Sequence, residues 1–163
     1  MKKIAFILAL ICFSTQIQAQ RLKADQIVGD WMSPEKDLIV HCYKDNDKYF
    51  GKVIWFKKYN NNARIDAVDD SGGVPESKWL NTIVMSNLVF DNDEWDDGRV
   101  FQLKTGKSYR AFVKMKNENT LRLTGYVLLP IFSESVTFTR LQEAEKMQTI
   151  NLKTNLKTSL KTK

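Results

Sequence analysis

Between residues 28 and 141, apolar and polar side chains alternate with a period of two, and short polar links separate the alternating runs. Successive strand residues point to opposite faces of a sheet, so this period calls for half-buried strands; a helix would repeat its apolar positions every three to four residues. Runs rich in Val, Ile, Phe, Tyr, Trp and Thr predict strands over 28–33, 37–44, 48–57, 81–90, 94–103, 107–117, 120–129 and 132–141. The links Lys44-Asp45-Asn46-Asp47, Asp91-Asn92-Asp93, Lys104-Thr105-Gly106-Lys107 and Asn117-Glu118-Asn119 are of hairpin length and carry turn residues. Strands joined by tight hairpins are antiparallel neighbours. A meander of this length leaves two bare edges, and closing it into a barrel removes both. The expected fold is therefore all-β: one antiparallel up-and-down β-barrel of about eight strands, with a two-sheet sandwich as the second choice.

The two ends of the chain follow other rules. Lys2 and Lys3 precede an apolar run over residues 4–13, which has the length of a signal-peptide core and is too short to span a bilayer. Ala19 supplies the small residue expected before a cleavage site, so residues 1–19 are read as a signal peptide and the chain as exported, periplasmic or secreted. Cys12 lies inside the run behind bulky Ile11, which argues against a lipid anchor. Its removal leaves Cys42 as the single cysteine of the mature chain, with no internal disulfide open to it. The mature domain is assigned to residues 20–141. In 142–163 the unit Asn/Ser-Leu-Lys-Thr recurs, placing Leu152, Leu156 and Leu160 at a spacing of four; the stripe is narrow and uncapped, so this tail is expected to be flexible or weakly helical. Residues 57–80 form a connection longer than a hairpin needs and are a candidate lid over a barrel mouth.

Charge narrows the partners. The chain carries 25 Lys and Arg against 19 Asp and Glu, but removing residues 1–20 and 142–163 leaves a nearly neutral domain with 18 basic and 17 acidic groups. Such a domain has no global field for nucleic acid. Catalytic chemistry is poorly supplied as well. The one histidine, His41, is followed by Cys42, and neighbours on a strand face opposite ways, which excludes a dyad between them. No Gly-x-Ser-x-Gly, Walker loop or His-Glu-x-x-His is present. The acidic groups around 91–97 and 66–70 read as solvated turns whose side chains bond to their own backbone, rather than as calcium loops. No cofactor or metal is expected, and the chain is read as a non-enzyme.

Gly29, Trp31 and Arg140 stand on the first and last strands, which are neighbours in a closed barrel. There the Arg140 guanidinium is expected to lie on the Trp31 ring and bond carbonyls at the closed end, a structural role. The Gly-x-Trp with a late Arg resembles the lipocalin and fatty-acid-binding superfamily. A closer resemblance spans about residues 27–141. The ordered motifs Gly29-x-Trp31, Tyr49-x-Gly51-Lys52-Val53-x-Trp55, Asp66, Trp95-x-x-Gly98-Arg99-Val100, Gly106-Lys107-x-Tyr109, Leu121-x-x-x-Gly125-Tyr126 and Thr139-Arg140 are similar to the secreted bacterial family catalogued as domain of unknown function 2147. The resemblance implies an exported, small, lipocalin-like barrel. This chain departs from the family pattern after Asp66, where Asp69-Asp70-Ser71-Gly72-Gly73 replaces Asn-Pro. It departs again at Phe101-Gln102-Leu103, at Thr124-Gly125 and at Phe138, so a family site built on those positions would be altered here.

An eight-strand barrel encloses space for its own side chains or for one small ligand. Alternation puts Tyr49, Gly51, Val53 and Trp55 on one face, and Tyr109, Ala111, Val113 and Met115 on another. Tyr49, Trp55, Tyr109, Val113, Met115 and Tyr126 are the ligand-binding candidates, with Gly51, Ala111 and Gly125 leaving room. The expected partner is a small hydrophobic or amphipathic molecule; no nucleic acid is expected, and the chain is not read as an integral membrane protein. Against this stands a filled interior, in which case the protein is a solid-cored cell-envelope module docking through 57–80 and the basic tail.

Overall fold

A computed structural model of the chain describes residues 23–57, 73–127 and 133–142. The predicted signal peptide, most of the 57–80 connection and the tail beyond Gln142 lie outside the described residues. Eight strands close into one barrel in sequence order, every neighbour antiparallel. They are β1 (Gly29–Met32), β2 (Leu38–Asp45), β3 (Lys48–Phe56), β4 (Ile83–Asp91), β5 (Glu94–Gln102), β6 (Lys107–Asn117), β7 (Thr120–Tyr126) and β8 (Ser133–Arg140). The ring is completed where Trp31 pairs with Arg140 and Met32 with Thr139. This closure replaces the alternative of a sandwich, whose two sheets would have kept free edges.

Turn chemistry makes the hairpins. In the β4–β5 link both Asn92 and Asp93 take positive φ (46° and 67°), the type I′ geometry whose twist matches that of the strands it joins. Between β2 and β3, Asn46 takes positive φ, 54°, and Asp47 does not. Asn and Asp tolerate this left-handed region better than other residues with a side chain.

Three of the four short hairpin links and the start of β1 gather at one end of the barrel, and there the chain plugs the opening. A short 3-10 turn, Asp25–Ile27, crosses it, with Ile27 fully buried. Above the plug lies a packed layer of Trp31, Trp95, Tyr49, Leu88, Leu121, Val53 and Val113, each 2% exposed or less. Burying a side chain of this kind is worth about 1.5–3 kcal/mol relative to leaving it in water. Glycines allow the packing to close. A Cβ on Gly51 would stand 2.5 Å from Met85 Cε, and one on Gly98 would stand 2.6 Å from Leu88 Cγ. Gly51 therefore seats a neighbour, where the sequence reading had it leaving room.

A β-bulge overturns one sequence expectation. Val40 pairs with Val53, but Ile39 pairs with Trp55, so Ile54 is an extra residue on β3. An extra residue inverts the facing of all that follows it. Trp55 consequently shares the outer face of Ile39, and Phe56, opposite Leu38, turns inward against the Trp79 ring at 5.5 Å.

Candidate functional site

The two ends of the barrel differ in kind. At the plugged end, backbone carbonyls of 24–28 accept hydrogen bonds from side chains of β1, β5 and β8. Trp31 Nε1 donates to Ile27 O at 2.8 Å and Trp95 Nε1 to Ala24 O at 3.0 Å. Arg140 donates from Nη1 to Val28 O at 3.0 Å, from Nε to Glu118 O at 2.8 Å and from Nη2 to Gln26 O. Its guanidinium carbon lies 4.2 Å from the centre of the Trp31 ring. Gly29, at φ 135°, makes this possible: a Cβ there would lie 2.7 Å from Arg140 Nη1.

Asp25 ties the plug to the wall by accepting from Tyr49 Oη at 2.6 Å and Lys44 Nζ at 2.9 Å. Burial, together with the bond to Asp25, pushes the Tyr49 phenol up to about 12, and the same carboxylate raises Lys44. Burial pushes the Cys42 thiol up to about 12, with the positive charge of Arg140 opposing it in part. A thiol held neutral this way is a packing group, not a nucleophile.

The opposite end is hollow. A cavity of about 810 Å³ opens there to solvent. Its deep wall is apolar, from Val40 on β2, Met85 on β4, Val100 on β5, Leu123 on β7 and Phe138 on β8; Trp79 closes one side, its Nε1 donating to Val74 O at 2.7 Å. Polar groups stand higher, among them Gln102, Tyr109 and Glu134. The interior thus differs along its length: the aromatic layer fills it at the plugged end, and the cavity occupies the other.

The predicted ligand residues divide between these halves. Tyr109 and Tyr126 line the cavity, Tyr126 at its edge with its ring 6.2 Å from that of Phe112. Tyr49 and Val113 belong to the packed layer beneath. Met115 lies at the plugged end, in a shallow recess with Asp25, Val28 and Arg140. Trp55 is outside, for the reason given by the bulge. The residues missed include Val40, Met85, Val100, Leu123, Val136, Phe138 and Glu134. Alternation on β8 could have found the last three, because Glu134, Val136 and Phe138 share a face; for Val100 the bulge on β5 defeats it.

A closed, eight-stranded up-and-down barrel, plugged at one end and hollow at the other, defines a lipocalin-like protein. This chain belongs to the bacterial family described as "Uncharacterized protein conserved in bacteria (DUF2147)", whose model matches residues 29–140. Among solved structures it is similar to protein HP1028 of Helicobacter pylori, described as belonging to the lipocalin family. The two are 18% identical and superpose with a TM-score of 0.56, over 74% of this chain and 86% of that one. No curated protein matches the chain. No helix among the described residues is long and apolar enough to cross a membrane.

Proposed function

We propose that the chain is exported, loses residues 1–19, and serves in the periplasm or outside the cell as a non-catalytic carrier of a small apolar or amphipathic molecule. The observation that carries this reading is the cavity of about 810 Å³. Its volume falls in the range of about 300–1,000 Å³ typical of small-molecule sites, and its deep apolar wall with a few polar groups above has the usual composition of one. The ligand's apolar body packs against Val40, Met85, Leu123 and Phe138, and its polar end faces the mouth. The likeness of fold to a lipocalin supports the reading without deciding the ligand.

The test uses the full mature chain, residues 20–163. N-phenyl-1-naphthylamine, an uncharged apolar probe, is titrated against it and its fluorescence followed. Saturable enhancement is expected, together with its loss in Val136→Trp, which puts an indole into the hollow half. Absence of saturable binding, with no bound mass in native mass spectrometry of protein purified from its host, overturns the proposal.

A further inference from the structure

The charges at the cavity mouth bear on what the ligand's polar end can be. Gly125 pairs with Ala111 on β6 and with Glu134 on β8, so the three stand in one cross-strand row. Ala111 and Gly125 are too small to reach across, and the next row down on β7 and β8 is Leu123 and Val136. Glu134 therefore holds its carboxylate over the hollow half, at the boundary between apolar wall and mouth. It has no hydrogen bond or ion pair among the described residues, and neither has the Tyr109 hydroxyl on β6, two strands away across β7.

Among the described residues, the remaining charges of the lining are Glu35, Asp37 and Lys104. Asp37 is committed, accepting from Ser33 Oγ at 2.7 Å, and Lys104 has a partner of its own. The uncommitted charges among the described lining residues are thus two carboxylates, Glu35 and Glu134. A ligand carboxylate entering here would meet like charge, with no uncommitted cation among these residues to pair it, which is costly. An ammonium would gain a charge-assisted hydrogen bond to Glu134, and the Tyr109 oxygen can accept another of its protons.

We infer that the cavity selects amphiphiles with a cationic, hydrogen-bond-donating head, of the alkylammonium class, and discriminates against fatty carboxylates. The inference rests on the proposed binding function and adds the chemistry of the head group. Glu134 is the selecting residue. Tyr109 positions the head, and the apolar wall holds the chain.

Decylammonium, decanoate and decanol, each below its micelle-forming concentration, are compared as displacers of N-phenyl-1-naphthylamine from the mature chain. Decylammonium is expected to displace it best and decanoate worst. Glu134→Gln, at an exposed position, is expected to weaken decylammonium by about two- to fivefold, the scale of an exposed ion pair, while leaving decanol unchanged. Added salt should weaken decylammonium alone. Decanoate displacing as well as decylammonium, or Glu134→Gln leaving the ammonium-to-alcohol ratio unaltered, overturns the head-group inference and leaves the carrier function standing. Failure of the neutral probe and of all three displacers to bind, read by calorimetry, overturns both.

Discussion

The guanidinium of Arg140 lies over the indole of Trp31, 4.2 Å from its centre, while its nitrogens hold carbonyls of Gln26, Val28 and Glu118. Strand, plug and opposite hairpin meet at this one side chain. It reinforces the closure that the backbone pairs of Trp31 with Arg140 and Met32 with Thr139 make between the two ends of the sheet.

Replacing Arg140 should therefore loosen the closure. A cation over an aromatic ring contributes about 0.5–2 kcal/mol, and each charged hydrogen bond about 1.5–3 kcal/mol before overlap between them is counted. Arg140→Ala is expected to cost about 2–4 kcal/mol in urea unfolding. Arg140→Lys should recover less than half of it, because an ammonium cannot bond three divergent carbonyls and stack as well. A loss below about 0.5 kcal/mol for the alanine variant would contradict the role given to this residue.

Gly98 and Gly51 make a graded pair. A Cβ at Gly98 meets branched Leu88 and, at 3.1 Å, the Ser86 carbonyl oxygen, whereas at Gly51 the nearest atom is the swinging methyl of Met85. Overpacking of this kind costs about 1–3 kcal/mol. Gly98→Ala should fall near the upper end and Gly51→Ala near the lower, measured as the difference in denaturation midpoint at equal slope.

Alkaline pH should unfold the protein through two buried acids. The Cys42 thiol and Tyr49 phenol are held at about 12 in the folded chain, against ordinary values of 9.0 and 10.0. The unfolded chain thus releases protons at lower pH than the folded one. Their contribution is whole below pH 9 and is lost as pH rises from 9 to about 12. Urea midpoints should decline over that window, and Cys42→Ala should flatten the part that begins near pH 9. A native thiol unreactive to a disulfide reagent at pH 8, and reactive in urea, is the companion result.

Tryptophan emission offers a local report of binding. Trp79 lines the cavity, whereas Trp31 and Trp95 are sealed in the packed layer. Bound decanol, which does not absorb tryptophan emission, should change the emission of Trp79 and leave that of Trp31, Trp55 and Trp95, none of which lines the cavity; Trp79→Phe should abolish the ligand-induced change while leaving most of the protein's fluorescence. A response that survives the substitution would place the ligand outside the cavity.

The sequence by itself determined the ring. Period-two alternation and hairpin turns such as Asn92-Asp93 are local signals, and eight strands in a meander have one economical way to remove their edges. Gly29, Trp31 and Arg140 could be matched because closure makes the first and last strands neighbours. Which half of the ring is hollow was decided only in three dimensions. The plug at Asp25–Ile27 is held by side chains as distant in sequence as Trp95 and Arg140, and no local pattern records those bonds. The extra residue at Ile54 turned Trp55 out and Phe56 in, an effect alternation cannot anticipate because it assumes an unbroken period. Glu134 acquired its place over the cavity from the smallness of Gly125 and Ala111 across the sheet, a relation of register between strands that the chain order alone does not contain.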